Sequence, residues 1–186
     1  VDLGLSVKWA TCNVGADSPG GYGDYFAWGE TSPKNEYTWS TLKYCNGTSG
    51  DSFSKYNQNK GGTRDNRTRL ELSDDAARQR WGGSWRMPTA EEFQELVDKC
   101  RWIWTTEGGH YGYRVTGPSG NSIFLPAAGA RGGSSPTYAG ELGGYWSSSL
   151  DTSNSRNAYS LYFDSDSHDV GDFRRGYGPS VRPVTE

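Results

Sequence analysis

The stretch RMPTAEEFQELVDKC, Arg86 to Cys100, constrains the fold more than any other part of the chain. Thr89 is placed to cap a helix, and Glu92, three residues on, completes a capping box by reaching back to the amide of the cap. Phe93, Leu96, Val97 and Cys100 then recur at i, i+3, i+4 and i+7, which makes one apolar stripe on an otherwise polar helix. On that stripe Cys100 reads as a small buried hydrophobe. A shorter helix is expected just before it, where Ser73, Asp74 and Asp75 supply a cap and first-turn acids and Gly82 ends the run.

The rest reads as short strands, turns and loops. Leu3, Leu5 and Val7 share one face of an expected opening strand, and Tyr25 to Trp28 form a second short aromatic run. The polar stretch from Lys34 to Thr68 is either one long loop or irregular pieces pinned by Trp39, Tyr44, Phe53 and Tyr56. GHYGYRVTGPSGNSIFLPAAG is a hairpin, with Tyr111, Tyr113 and Val115 alternating before a glycine-rich turn and Ile123 and Leu125 after it. GGYWSSS, NAYSLYFD and SVRPV supply further strands. Two helices beside short antiparallel strands, with no repeat and no linker, predict one α+β domain over residues 1–186.

Leu, Ile, Val and Phe make only 26 of 186 residues, which in a highly charged chain would mean disorder. Formal net charge here is only -3, and eight Trp and twelve Tyr are available, so the core is expected to be aromatic. Arg64, Arg67 and Arg69 alternate with Asp65 and Glu71 rather than forming a basic face, which argues against a nucleic-acid partner. No stretch reads as a membrane span, and the Val1 start suggests a trimmed chain. Cys12, Cys45 and Cys100 allow one bridge and a free thiol, or three thiols, with no pairing favoured.

The chemistry-bearing stretch is DSDSHDVGDFRR, Asp164 to Arg175. It fails as an EF-hand in both registers: one places Asp169 where glycine is required, and the other fills ligand positions with His168 and Val170. Zinc is not supported, because His110 and His168 are far apart in sequence and flank no cysteine pair. His110 reads as a turn residue. Ser147, Ser148 and Ser149 lack the glycine-flanked elbow of a nucleophilic serine, and no glycine run matches a phosphate loop. No catalytic residue, metal or cofactor is expected.

In NAYSLYFD, period two turns Tyr159, Leu161 and Phe163 toward a core and Ser160, Tyr162 and Asp164 outward. Asp166, His168, Asp169, Asp172, Phe173, Arg174, Arg175 and Tyr177 follow, separated mostly by small residues. Aromatic anchors mixed with Ser, Asp, Gly and Arg have the composition of a recognition surface. The window from Ser149 to Ser180 also contains no Glu, Lys, Gln, Met or Trp, whereas the preceding 148 residues contain 26 of them. Long charged side chains vanish while Asp and Arg persist.

WRMPTAEEFQEL at Trp85–Leu96, NSIFLPAAGAR at Asn121–Arg131, GGYWSSS at Gly143–Ser149 and the closing GPSVRPV at Gly178–Val184, together with the opening VDLGLSVKWATCNVGA, resemble the variable proteins that retroelements diversify in gut bacteria and their phages. Those proteins carry a C-type lectin-like domain of the formylglycine-generating-enzyme type. In them, randomising adenines in AAY codons yields an alphabet that excludes the five residue types missing here. The resemblance implies a non-enzymatic scaffold displaying a ligand-contacting surface over 149–180, at a cell surface, on a phage virion or secreted, with a protein or glycan ligand. It implies that Tyr159, Leu161, Phe163, Ser165, Gly178 and Ser180 are framework. The ligand-contacting positions it implies are Leu150, Asp151, Ser153, Ser155, Arg156, Ser160, Tyr162, Asp164, Asp169, Gly171, Asp172, Phe173, Arg174, Gly176, Tyr177 and Pro179. The oxidising enzymes that resemble this family bind copper with a late pair of cysteines. No cysteine follows Cys100 here, so that activity does not carry over. A fixed adhesin, pilus-tip or surface lipoprotein domain is the alternative expectation.

Overall fold

The computed structural model describes all of residues 1–186. It has two α-helices and many short, mostly antiparallel strands, an α+β arrangement. The strands are β1 (Lys8–Trp9), β2 (Ser52–Phe53), β3 (Gly61–Gly62), β4 (Arg101–Glu107), β5 (His110–Thr116) and β6 (Ser122–Pro126). They continue with β7 (Ala130–Gly132), β8 (Ser135–Thr137), β9 (Gly143–Leu150), β10 (Asn157–Phe163), β11 (His168–Arg174) and β12 (Val184–Thr185). Two three-stranded antiparallel sheets, β4-β5-β6 and β11-β10-β9, carry most of the ladder. The small pairs are β1-β12, β7-β8 and the parallel β2-β3.

Helix α1 (Ala76–Trp81) begins at Asp75, whose Oδ1 accepts the Arg78 amide at 2.9 Å, and stops at Gly82 with φ 69°. Helix α2 (Ala90–Lys99) has the expected reciprocal cap. Thr89 Oγ1 accepts the Glu92 amide at 3.1 Å, while Glu92 Oε2 accepts the Thr89 amide at 2.8 Å. Arg86 clamps the same carboxylate with two nitrogens, at 2.9 and 2.7 Å. Phe93 and Leu96 are fully buried and bring α2 down on β9, β10 and β11. Cys100 is the C-cap, half-buried, with its thiol pushed up to about 11 by burial. All three cysteines are free thiols.

The core is rich in aromatic rings set among aliphatics. One cluster joins Trp9, Phe93, Tyr113, Tyr145 and Phe163 to nine aliphatics, and a second gathers Phe26, Trp28, Tyr56 and Trp146 with eight further apolar residues. Most polar groups that enter the core are bonded, Trp9 Nε1 and Arg175 Nε being exceptions. Asp74 receives Lys43 Nζ, Lys55 Nζ and the hydroxyls of Tyr44 and Tyr56 at 2.7–2.9 Å. Burial alone would raise the Asp74 carboxyl, but those four donors outweigh it and hold the pKa at about 2. This network anchors part of the 34–68 segment, which consists of irregular pieces with Phe53 and Tyr56 buried.

Two expected strands form only in part, the opening one and SVRPV, of which Val184 alone enters a named strand. Residues 1–3 are irregular and 4–7 are bends, burying Leu3 and Val7, and the strand is confined to Lys8–Trp9, where Val184–Thr185 supplies a partner. The Tyr25 to Trp28 run lies outside any sheet and ends in a turn at Trp28. Its amides bond instead to the chain's last third, Phe26 N to Pro179 O at 3.1 Å and Trp28 N to Arg175 O at 3.1 Å. Conversely, the DSDSHDVGDFRR stretch is not a loop throughout, since residues 168–174 of it form strand β11.

Candidate ligand-binding surface

The surface is organised by the β9-β10-β11 sheet. Antiparallel register sets residues in rows that share a face: Leu150–Ala158–Phe173, Trp146–Ser160–Gly171 and Gly144–Tyr162–Asp169 on one side. The opposite side carries Tyr145–Leu161–Val170 and Gly143–Phe163–His168, which pack toward α2 and the first core cluster. Between Ala158 and Ser160 the register on β9 jumps, which makes a bulge of the serines. Ser147 Oγ donates to Tyr159 O at 2.7 Å and accepts the Ser149 amide at 3.1 Å, while Ser148 Oγ donates to Pro88 O at 3.3 Å. These hydroxyls hold backbone together.

On the first face, bulk runs out along the sheet. Trp146 and Leu150 are buried at one end, and Gly144 and Gly171 leave space at the other. Tyr162 fills part of that space by lying across Gly171, where a Cβ would stand 2.7 Å from the Tyr162 ring. Opposite stands the β7-β8 hairpin, held to the tail by a reciprocal pair of bonds between Arg131 and Gly178, both 2.8 Å. That pairing sets Tyr177 flat against Gly132 and places Pro179 beside Gly144. Gly178 itself must be glycine, because a Cβ there would meet the Tyr37 ring at 2.4 Å.

Between sheet and hairpin lies a cleft of about 600 Å³, lined by Ser160, Tyr162, Phe173, Tyr177 and Pro179 from the tail and by Arg131, Tyr138 and Leu142 across from them. Tyr138 and Tyr162 on its rim are 62% and 48% exposed. A second cleft of about 330 Å³ adjoins it, sharing Gly133 and Tyr177, and takes in Trp39, Arg174 and Gly176. Phe173 stands 5.1 Å from Tyr177 and 5.9 Å from Trp146, so the wall is a continuous aromatic row backed by the core.

The expected contact residues divide accordingly. Ser160, Tyr162, Phe173, Tyr177 and Pro179 line the first cleft, and Arg174, Gly176 and Tyr177 the second. Asp169 and Asp172 are exposed on opposite faces of β11, and Ser153 is exposed in the β9–β10 loop. Arg156 reaches the Ser49 carbonyl at 2.8 Å and lies over Trp39 at 5.7 Å.

Several expectations of outward-facing residues are corrected. Leu150, Asp151 and Ser155 are buried. Leu150 belongs to the second core cluster, and Asp151 Oδ1 caps its own loop by accepting from Ser153 and Asn154. Ser155 is locked to the 57–59 segment, its hydroxyl accepting the Gln58 amide at 2.7 Å. Ser160, Gly176 and Pro179 are also nearly inaccessible, and they shape the clefts from beneath. Asp164 is a hairpin cap: its Oδ1 accepts from the amides of Asp166 and Ser167 and from the Ser167 hydroxyl. Tyr159 is half-buried and lies outside the core clusters.

Arg175, expected outside with its neighbours, is completely buried. It donates to the carbonyls of Tyr56, Ser155 and Lys55 at 2.8, 2.9 and 3.2 Å and stacks on Phe53 and Trp28. Burial lowers its pKa to about 10. His168 lies on the core side, stacked on Trp102 at 4.3 Å, with its pKa depressed by burial against the weaker pull of Asp169. It is therefore on the other side of the sheet from the clefts. No three His, Cys, Asp or Glu side chains come together as metal ligands.

Arg131, Tyr138 and Leu142 were not expected in the surface. Their signal was GARGGSSPTYAGELGG, a glycine-rich run holding apolar side chains at no regular period, hence with no core face to turn them toward. No protein-family model, curated protein or solved structure matches the chain. No helix is long and apolar enough to cross a membrane.

Proposed function

We propose that this chain is a non-enzymatic display protein: a C-type lectin-like scaffold whose 149–180 segment is diversified by a retroelement to bind protein or glycan ligands, at a cell surface, on a phage virion or as a secreted protein. One observation carries the reading. Ser160 and Tyr162 face a cleft shared with Phe173, Tyr177 and Pro179, while Leu161 and Phe163, interleaved with them on the same strand, are buried in the core, Phe163 also touching the cleft floor. Changing one set leaves the other in place, which is the property that a diversified surface requires.

A second reading is favoured by the burial of Leu150, Asp151 and Ser155. In a fixed adhesin or pilus-tip domain these residues would simply be part of the packing. The genome of origin separates the two. The diversified reading expects a near-identical template copy of the 149–180 coding segment, differing only at adenines, with a reverse transcriptase gene nearby. Its absence from a complete genome sequence would leave the fixed adhesin.

A further inference from the structure

The two joined clefts have a one-sided charge. Their linings contain no aspartate, glutamate or lysine, and each contains one arginine: Arg131 in the larger and Arg174 in the smaller. Neither arginine takes part in any of the molecule's ion pairs. Arg131 lies over the Tyr37 ring and is held by the carbonyls of Asn35 and Ser134, with its Nε buried and unpartnered, and Arg174 is exposed. In a chain of net charge -3, cleft linings whose only charged residues are two arginines outside any ion pair are a local reversal of sign. Guanidinium forks match carboxylates in shape as well as charge.

The rest of the lining is aromatic rings, glycine backbone, Ala130, Leu142 and Pro179, with Thr and Ser hydroxyls but no Asn or Gln. A sugar presents many hydroxyl groups, which planar amide and carboxylate side chains pair best, and none of these line the clefts. An apolar side chain needs only the rings. A volume of about 600 Å³ lies within the usual 300–1,000 Å³ span of pockets that enclose a ligand.

We propose that the trench takes an extended segment of a partner protein that carries an aromatic or large aliphatic side chain flanked by a carboxylate. The apolar group enters the cleft between Tyr162 and Tyr138, and the carboxylate meets Arg131 or Arg174 across Tyr177. This rests on the display reading and adds the chemical class of the ligand.

The test is to screen the whole chain against a displayed library of random linear peptides and, in parallel, against an array of neutral and sialylated glycans. The expected result is enrichment of peptides with Asp or Glu next to Trp, Phe or Leu. Arg131→Gln with Arg174→Gln should weaken their binding at least tenfold, and Glu141→Gln, in an acidic cleft that shares only Leu142 with the larger one, should not change it. Raising salt from about 50 to about 500 mM should weaken it severalfold. Because Arg174 is exposed, Arg174→Gln alone keeps the test valid if the double variant is unstable. Enrichment of neutral or basic peptides, or of glycans alone, overturns the proposal while leaving the display reading standing, provided that Tyr162→Ala abolishes that binding. Binding that is indifferent to both the arginines and Tyr162 overturns the proposal and the display reading together.

Discussion

Tyr162→Ala combined with Tyr177→Ala is expected to abolish binding to any protein or glycan that the intact chain retains, with the thermal midpoint moving by no more than about 3 °C. Both rings stand on the cleft, one half-exposed over Gly171 and the other against Gly132, and neither belongs to a core cluster. Aromatic anchors of this kind account for about 2 kcal/mol or more each at interface centres. Losing two therefore weakens binding on the order of a thousandfold. Binding is measured by biolayer interferometry and stability by calorimetry on the same preparations. A protein that melts early would show that the rings hold the fold rather than display it.

Arg175→Ala should do the opposite of Arg174→Ala, although the residues are adjacent. Removing Arg175 leaves the carbonyls of Tyr56, Ser155 and Lys55 without donors and opens a void against Phe53 and Trp28. Those losses together cost about 4 kcal/mol. For a chain of this size that lowers the thermal midpoint by about 10 °C. Arg175→Lys should rescue little, because an ammonium cannot stack on two rings while donating to three carbonyls. Arg174→Ala removes an exposed side chain with no partner in the molecule, so the midpoint should stay within about 2 °C. Comparable losses from both would mean that the strand end is uniformly structural.

This pair also shows where sequence reasoning reaches its limit. Local signals were legible wherever the cause was local. The capping box at Thr89 and Glu92, the Asp75 cap and the β5–β6 hairpin follow from residues within one or two turns of each other, and they formed as expected. Strand β11 was not legible because His168–Arg174 has no apolar alternation, with exposed and half-buried positions following one another. It is a strand because β10 pairs with it along its whole length. Arg174 and Arg175 are the same letter twice. Only the distant 53–56 segment, which closes over one of them, makes them different. The burial of Ser155 likewise depends on Gln58 and Asn59, nearly a hundred residues earlier.

For the candidate surface, period two correctly put Ser160 and Tyr162 on the face away from Leu161 and Phe163. It could not show that the face is concave, since the opposite wall comes from the β7-β8 hairpin and has no period of its own. The aspartates of DSDSHDVGDFRR separate in space: one caps a turn, one is exposed at the hairpin tip, and two point to opposite sides of a strand.

The central claim is that a replaceable surface sits on a fixed scaffold within a few alternating residues. It is tested most directly by a displayed library in which each tail position is varied singly over the alphabet of this window. Protease resistance of the folded chain is then read by sequencing the survivors. The account predicts that Tyr162, Asp169, Asp172, Arg174 and Tyr177 accept nearly every substitution. Leu150, Ser155, Leu161, Phe163, Arg175 and Gly178 should accept almost none. Equal intolerance across both groups, or tolerance at Phe163 and Arg175, would contradict it.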